Sequence, residues 1–325
     1  MSPSAQLAHG RRRRHPVRIA LRLGLGAMLF SACAGPRVEP VSAAGNAESL
    51  RYSRLARTAF ETGSLARAET LYTQALMQAR ARDDAAGIGN AAYNLAALLI
   101  TREDRAAAWP LLDEAEAELA RAGEPLADVW LVKARLAAAD GRISDALRWA
   151  DLVVSQPEAG ATATHRVEVA LLRGGLACDE KDAARARSEL VLAREQLPPG
   201  NLPLAAGAEK LAGRLLLVEG RYAEAAAAFD REVDFCRQAG QPRAMVHAMV
   251  RAADAFARAG DIRAAAQRTY RASRSALAQG DLTWSQRLIA QSRTLAEKQG
   301  DSEFLSRVAF LETEIERADR DARSP

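Results

Sequence analysis

Residues 217–229 read LVEGRYAEAAAAF, and this stretch decides the fold. An apolar run with helical spacing ends at Gly220, and Tyr222 opens a second, with Ala225 and Phe229 following at spacings of three and four. A helix that stops at glycine and restarts two residues later turns back on itself as a hairpin. The pattern recurs in ETGSLARAETLY (61–72), AADGRISDALRWA (138–150) and RAGDIRAAAQRTY (258–270), and more weakly in REDRAAAWPLL (102–112) and DEKDAARARSEL (179–190).

Aligning the turns places Gly63, Glu103, Gly141, Lys181, Gly220 and Gly260 in register, with Gly300 as a seventh, at successive gaps of 40, 38, 40, 39, 40 and 40 residues. Seven residues before each of the first six turns stands a small residue: Ala56, Ala96, Ala134, Gly174, Gly213 and Ala253. Five residues after each stands alanine: Ala68, Ala108, Ala146, Ala186, Ala225 and Ala265. Two antiparallel helices approach closely only where both carry small side chains, so this spacing predicts stacked helical hairpins. Leu65, Ile143, Tyr222 and Ile262, with Tyr72, Leu112, Leu190 and Phe229, are then the residues that fill the seams.

The small–small–aromatic signature, clearest at Tyr93-Asn94-Leu95-Ala96 running on through Ala108 to Ala115, resembles the tetratricopeptide repeat. Each unit here is about six residues longer than the usual 34. The resemblance implies an all-α, right-handed α-solenoid of six to seven stacked hairpins with no cofactor. Helix pairs are expected at 47–62 and 65–82, 86–102 and 105–122, 125–140 and 143–155, 161–179 and 182–196, 203–219 and 222–239, and 243–259 and 262–279. Residues 47–280 form the array. A last pair, 282–298 and 302–319, carries Ser292 and Arg293 where a hydrophobe and a small residue belong, so 281–325 reads as a polar-faced capping segment and tail. Pro/Gly-rich loops are expected at 124–125, 156–160, 198–203 and 240–242. Pro110 falls inside a helix and predicts a kink or a late start.

The net charge of +4 suggests nucleic acid until its location is considered. Arg11, Arg12, Arg13, Arg14, Arg18 and Arg22 all lie in residues 1–32, which hold no acid; without them 39 basic residues face 41 acidic ones. A near-neutral solenoid has no general attraction for phosphate, so no nucleic-acid partner is expected. The arginine cluster is followed by an apolar run of ten, LGLGAMLFSA (23–32), too short to span a bilayer but right for a secretory signal. It ends in Ser31-Ala32-Cys33 and resembles a bacterial lipoprotein signal, with Phe30 standing where Leu is usual. That resemblance implies removal of 1–32 and lipidation of Cys33; Ala34 after the cysteine implies the outer membrane. An ordinary cleaved signal or an uncleaved anchor are the other readings. Residues 33–46, with two prolines and two glycines, read as a flexible tether.

Little points to catalysis. His9 and His15 lie in the signal, and His165 and His247 stand in different repeats without ligand-spaced acids or cysteines, so no metal site is expected. Cys178 falls just before a turn, whereas Cys236 is fourteen residues into a second helix, about 20 Å from its turn. A disulfide needs Cα atoms within about 7 Å, so two free, buried thiols are expected. Binding is the function the resemblance implies, in a groove lined by first helices. Carrying the family's groove positions over gives Arg57, Asn90, Tyr93, Asp128, Arg135, Lys210, Arg214, His247 and Asp254. Arg57, Arg135 and Arg214 share one register position, forming a basic ladder for acidic groups or else a solvated helix face. Asn94 is the only echo of the family's carboxylate clamp. The leading expectation is a lipid-anchored adaptor that binds protein or peptide segments in an envelope assembly. A ligand-sensing regulator and an enzyme with a site around His247 and Asp254 are the alternatives.

Overall fold

The computed structural model describes residues 47–323; the expected signal, Cys33 and tether lie outside the described residues. Among the described residues there are fourteen α-helices, one 3-10 turn at Pro157–Ala159 and no strand. The chain runs α1 (Ala47–Glu61), α2 (Leu65–Ala81), α3 (Ala85–Thr101), α4 (Arg105–Ala122), α5 (Ala127–Ala139), α6 (Ile143–Ser155) and α7 (Ala163–Asp179). It continues through α8 (Ala183–Glu195), α9 (Leu202–Val218), α10 (Tyr222–Gln238), α11 (Pro242–Arg258), α12 (Ile262–Ala278), α13 (Leu282–Gln299) and α14 (Ser302–Arg323). Each helix packs on the next, giving an all-α solenoid of seven hairpins.

The connectors explain the regularity. Each aligned turn residue sits in the left-handed region, from φ 61° at Lys181 to 85° at Gly260, and Glu103 does so at 65° without being glycine. At residues 216–221 the Gly220 amide donates to the Leu217 carbonyl and the Arg221 amide to that of Leu216, which ties off the last carbonyls of α9. At other turns the next residue caps the following helix, where Asp104, Asp182 and Asp261 accept the amides of Ala107, Arg185 and Ala264, whereas Ser64, Arg142 and Arg221 make no such side-chain bond. Junctions between units use the same device. Asp83 and Gly280 are left-handed, while Asp84 and Asp281 accept from Gly87 and Trp284. Left-handed residues therefore recur about every 20 residues, and at intervals of 20 from Gly200 to Gly300. The 40-residue unit is two near-equal helix-plus-connector steps. The loops expected at 124–125, 156–160 and 198–203 lie between helices, but 240–242 is only such a connector, with Pro242 already the first residue of α11.

The small positions are the core. Ala56, Ala96, Ala134, Gly174, Gly213 and Ala253 are buried, and all six post-turn alanines are fully so. Tyr72, Leu112, Leu190 and Phe229 are buried in the seams beside them. A methyl group on Gly174 would meet Leu211 Cδ2 at 2.5 Å, across to the next unit, and one on Gly213 would run into the Phe229 ring of its own hairpin. Cys178 and Cys236 are free and buried, and burial pushes the Cys236 thiol up to about 11.

Two expectations need correction. Helix α4 starts at Arg105 under the Asp104 cap and runs on through Pro110, so there is no late start; Pro110 is exposed, where a helix tolerates a lost amide best. In the last hairpin the first helix does keep a small residue, whereas the post-turn position holds Leu305 in place of alanine, as expected of a divergent last pair. Helix α13 is one residue longer than α3, α7, α9 and α11, so the small position falls eight before Gly300, at Ser292. Ser292 is fully buried and donates to the Ala266 carbonyl, while the buried Ser285 and Ser273 hydroxyls each donate to the other's carbonyl. Hydroxyls, satisfied across the seam, stand in for methyl groups.

Candidate functional site

The odd-numbered helices carry all nine groove candidates, and the structure sorts them by what they touch. Asn90 and Tyr93 on α3 are 6% and 2% exposed and belong to the core rather than to an open surface. Arg57 on α1 is half-buried. Three others tie each first helix to the next. Asp128 on α5 receives the His165 imidazole of α7 at 3.0 Å, and Arg135 on α5 pairs at 3.5 Å with Glu168 of α7, a carboxylate 2% exposed. Arg214 on α9 reaches back to α7, donating to the Gly175 carbonyl at 2.9 Å and pairing with Asp179. Two of the three ladder arginines are thus neutralised within the fold, as seam-crossing struts. Asp254 is exposed and pairs loosely with Arg258 on its own helix.

Lys210 and His247 are placed differently. Lys210 on α9 is solvent-exposed and has no carboxylate within ion-pair distance. Its pKa is nonetheless held below the usual lysine value, chiefly because surrounding protein displaces part of its hydration, with Arg251 and Arg214 adding repulsion and Glu232 opposing them. His247 on α11 lies against the Trp284 ring of α13, centroids 4.3 Å apart. Burial and the cations Arg251, Arg243 and Lys210 push its pKa down to about 4, against a weaker pull from Asp281. It is neutral at pH 7.

Reading the sequence does not single out Arg243, Arg251 or Trp284. Arg243, His247 and Arg251 recur every four residues and so share one face of α11, a spacing the sequence carries openly. Arg251 is spent on the buried Glu232 carboxylate, to which it donates through two nitrogens. Arg243 is not spent: its Nε is buried without a hydrogen-bond partner, as is His247 Nε2.

One constellation resembles a catalytic triad but is accounted for by helix capping. Thr162, His165 and Asp128 line up as hydroxyl, imidazole and carboxylate, with Thr162 Oγ1 3.1 Å from His165 Nδ1. But His165 Nδ1 also accepts the Thr162 amide at 3.1 Å, and Thr162 Oγ1 accepts the His165 amide. That reciprocal pair is the capping box of α7, with the imidazole held as the Nε2–H tautomer donating to Asp128. His247 and Asp254, the pair on which an enzymatic reading would rest, have other partners and do not engage each other. Among the described residues no group of three or more His, Cys, Asp or Glu could hold a metal ion. None of the described helices is long and apolar enough to cross a membrane.

These features define a helical-hairpin solenoid with a mixed charged face along its first helices. No protein-family profile matches the chain, and no curated protein does. Solved structures similar to it include a tetratricopeptide repeat protein from Parabacteroides merdae, at 16% identity and TM-score 0.48 over 80% of this chain and 98% of that one. Another is a signal transduction ATPase with a tetratricopeptide repeat sensor from Pyrococcus horikoshii, at 13% identity and TM-score 0.49 over 82% and 45%. Yeast Tom70 is a third, at 13% identity and TM-score 0.48 over 89% and 67%.

Proposed function

We propose that the chain is a binding adaptor that takes up an extended protein segment along its first-helix face, held to the cell envelope through a lipid on Cys33. The observation that carries the binding role is the partition of that face. Between α5 and α9 its charged side chains bond one first helix to the next, fixing their spacing, whereas at α9 and α11 Lys210, Arg243 and His247 are left with donor or acceptor capacity unused. A spaced frame with uncommitted polar groups is pre-organised for a ligand, because ordering costs are met at folding rather than at binding. The envelope location rests on the sequence of residues 11–33 alone, and the outer membrane on Ala34.

In-cell crosslinking of the tagged full-length chain, followed by affinity capture, tests the adaptor role. A small set of envelope proteins is expected, and it should be lost when Lys210 and Asp254 are reversed in charge together (Lys210→Glu, Asp254→Lys). Capture that is indifferent to both changes places the binding surface elsewhere. The anchor has its own test: Cys33→Ser should abolish metabolic lipid labelling and release the protein from membranes, and a chain that stays labelled sinks the lipoprotein reading.

A further inference from the structure

At 22 residues α14 is the longest of the described helices, and its buried residues are Phe304, Val308, Leu311 and Ile315. One residue before each of these stand Glu303, Arg307, Phe310 and Glu314, turned about 100° from the packed face, and Arg317 extends the same stripe. All five are exposed, and Phe310, at 65%, is the most exposed large hydrophobic side chain among the described residues. One exposed ring means little by itself. The charges on either side of it are what give it meaning.

Ion pairs on α14 go to other residues: Glu312 meets Arg293 of α13, and Asp319 meets Arg323. Among the described residues no ion pair uses Glu303, Arg307, Glu314 or Arg317, although each acid has a base three or four residues along the same stripe. Arg307 lies instead over the Tyr270 and Phe304 rings, at 5.4 and 5.6 Å.

Along the helix the stripe reads acid, base, Phe, acid, base. A two-fold axis through Phe310 sets two copies of α14 antiparallel, so that residues equally far before and after Phe310 face each other. Arg317 and Glu303 both lie seven residues from Phe310, about 10 Å along the axis, so each Arg317 meets the other copy's Glu303. Glu314, four residues on, meets Arg307, three residues back, at heights that differ by about 1.5 Å. The Phe310 rings meet on the axis. Ser306 and Thr313 flank the stripe without charge, and Asp321 falls past the end of the facing helix. A parallel alignment would set Glu303 on Glu303 and Arg307 on Arg307, so the order of charges selects the antiparallel one.

We propose that the chain pairs with a second copy of itself through this face of α14, antiparallel about Phe310, with the two rings at the centre and ion pairs on both sides. One helix on one helix lies at the small end of stable interfaces, so the dimer is reversible, with a Kd on the order of 10 µM. Neither a lipid on Cys33 nor a segment bound along the first helices is needed for it.

Sedimentation velocity of the full-length chain, at concentrations about tenfold below and above that Kd, should show monomer passing to dimer. Glu303→Arg with Glu314→Arg makes the stripe wholly basic, and Arg307→Glu with Arg317→Glu makes it wholly acidic; each variant alone should stay monomeric. Mixed in equal amounts the two should form a heterodimer, because every facing pair is again of opposite sign. Phe310→Ser should weaken the parent dimer about tenfold or more. The substituted side chains are all exposed, and circular dichroism melts of each variant verify that the fold is retained. A parent that stays monomeric, or association that persists in both charge-reversed variants, overturns the interface. A mixture that stays monomeric while the parent dimerises overturns the antiparallel pairing.

Discussion

At the scale of single residues, the molecule is governed by what does not fit. Gly213 sits where a β-carbon would enter the Phe229 ring, which is itself fully buried and cannot swing away. Gly213→Ala should therefore destabilise the chain despite its better helix propensity, by about 1–3 kcal/mol net in urea denaturation, because overpacking outweighs the gain of about 1 kcal/mol from removing glycine. A neutral or stabilising result would mean that the hairpin opens freely. His247 offers a second check. Its folded pKa near 4 lies below the ordinary value of about 6.5, so the unfolded chain takes up the proton first. The contribution is present in full above about pH 6.5 and is lost as pH falls toward 4. Since the ring is only half-buried and solvent screens part of the effect, the loss between pH 7.5 and 5 should be on the order of 1 kcal/mol. His247→Gln should lose less stability over the same interval than the parent; equal losses would show that other groups carry the pH dependence.

At the scale of elements, the helix ends follow from chemistry that can be read directly. Expected bounds of α1–α13 fall within two residues of those observed, because every connector holds a left-handed residue and many follow it with a capping side chain, and both leave a mark in sequence. Spacing alone places Glu103 and Lys181 in register with glycines, and both prove to be left-handed, at φ 65° and 61°. That conformation strains a residue with a β-carbon. Both side chains are exposed, so Glu103→Gly and Lys181→Gly should each raise stability by about 0.5–1 kcal/mol, readable as a higher urea midpoint. Gly260→Ala, at φ 85°, should lower it. Less legible is which polar residues of the first helices face solvent. These helices are covered on two sides, by their hairpin partner and by the adjoining unit, and periodicity marks only the first cover. That is why Asn90 and Tyr93 read as surface and lie inside, and why Arg135 and Arg214 read as a free ladder and are struts. His247 likewise has a visible spacing but no visible neighbour, since the Trp284 ring reaches it only through the stacking of α11 and α13.

At the scale of the whole molecule, a solenoid has no single core. Each unit is stabilised by itself and by its neighbours, so cooperativity passes through the seams one at a time. The seam between α5 and α7 is where a buried ionic contact bears on that chain of dependence. Glu168 is 2% exposed and Arg135 is the cation beside it, drawn from the preceding unit. Removing the arginine leaves a carboxylate that desolvation has already penalised, at a cost of about 2–4 kcal/mol. Because the cost falls on a seam rather than within a hairpin, Arg135→Ala should do more than lower the midpoint. It should uncouple α1–α6 from α7–α14, so that urea unfolding followed by circular dichroism becomes broader, with a lower apparent m-value or two resolved steps. Adding Glu168→Gln to Arg135→Ala removes the buried charge itself and should recover most of the midpoint. If Arg135→Ala instead shifts a single transition of unchanged slope, the apolar contacts of that seam suffice to couple the halves, and the Arg135–Glu168 strut serves to align the first helices rather than to join them.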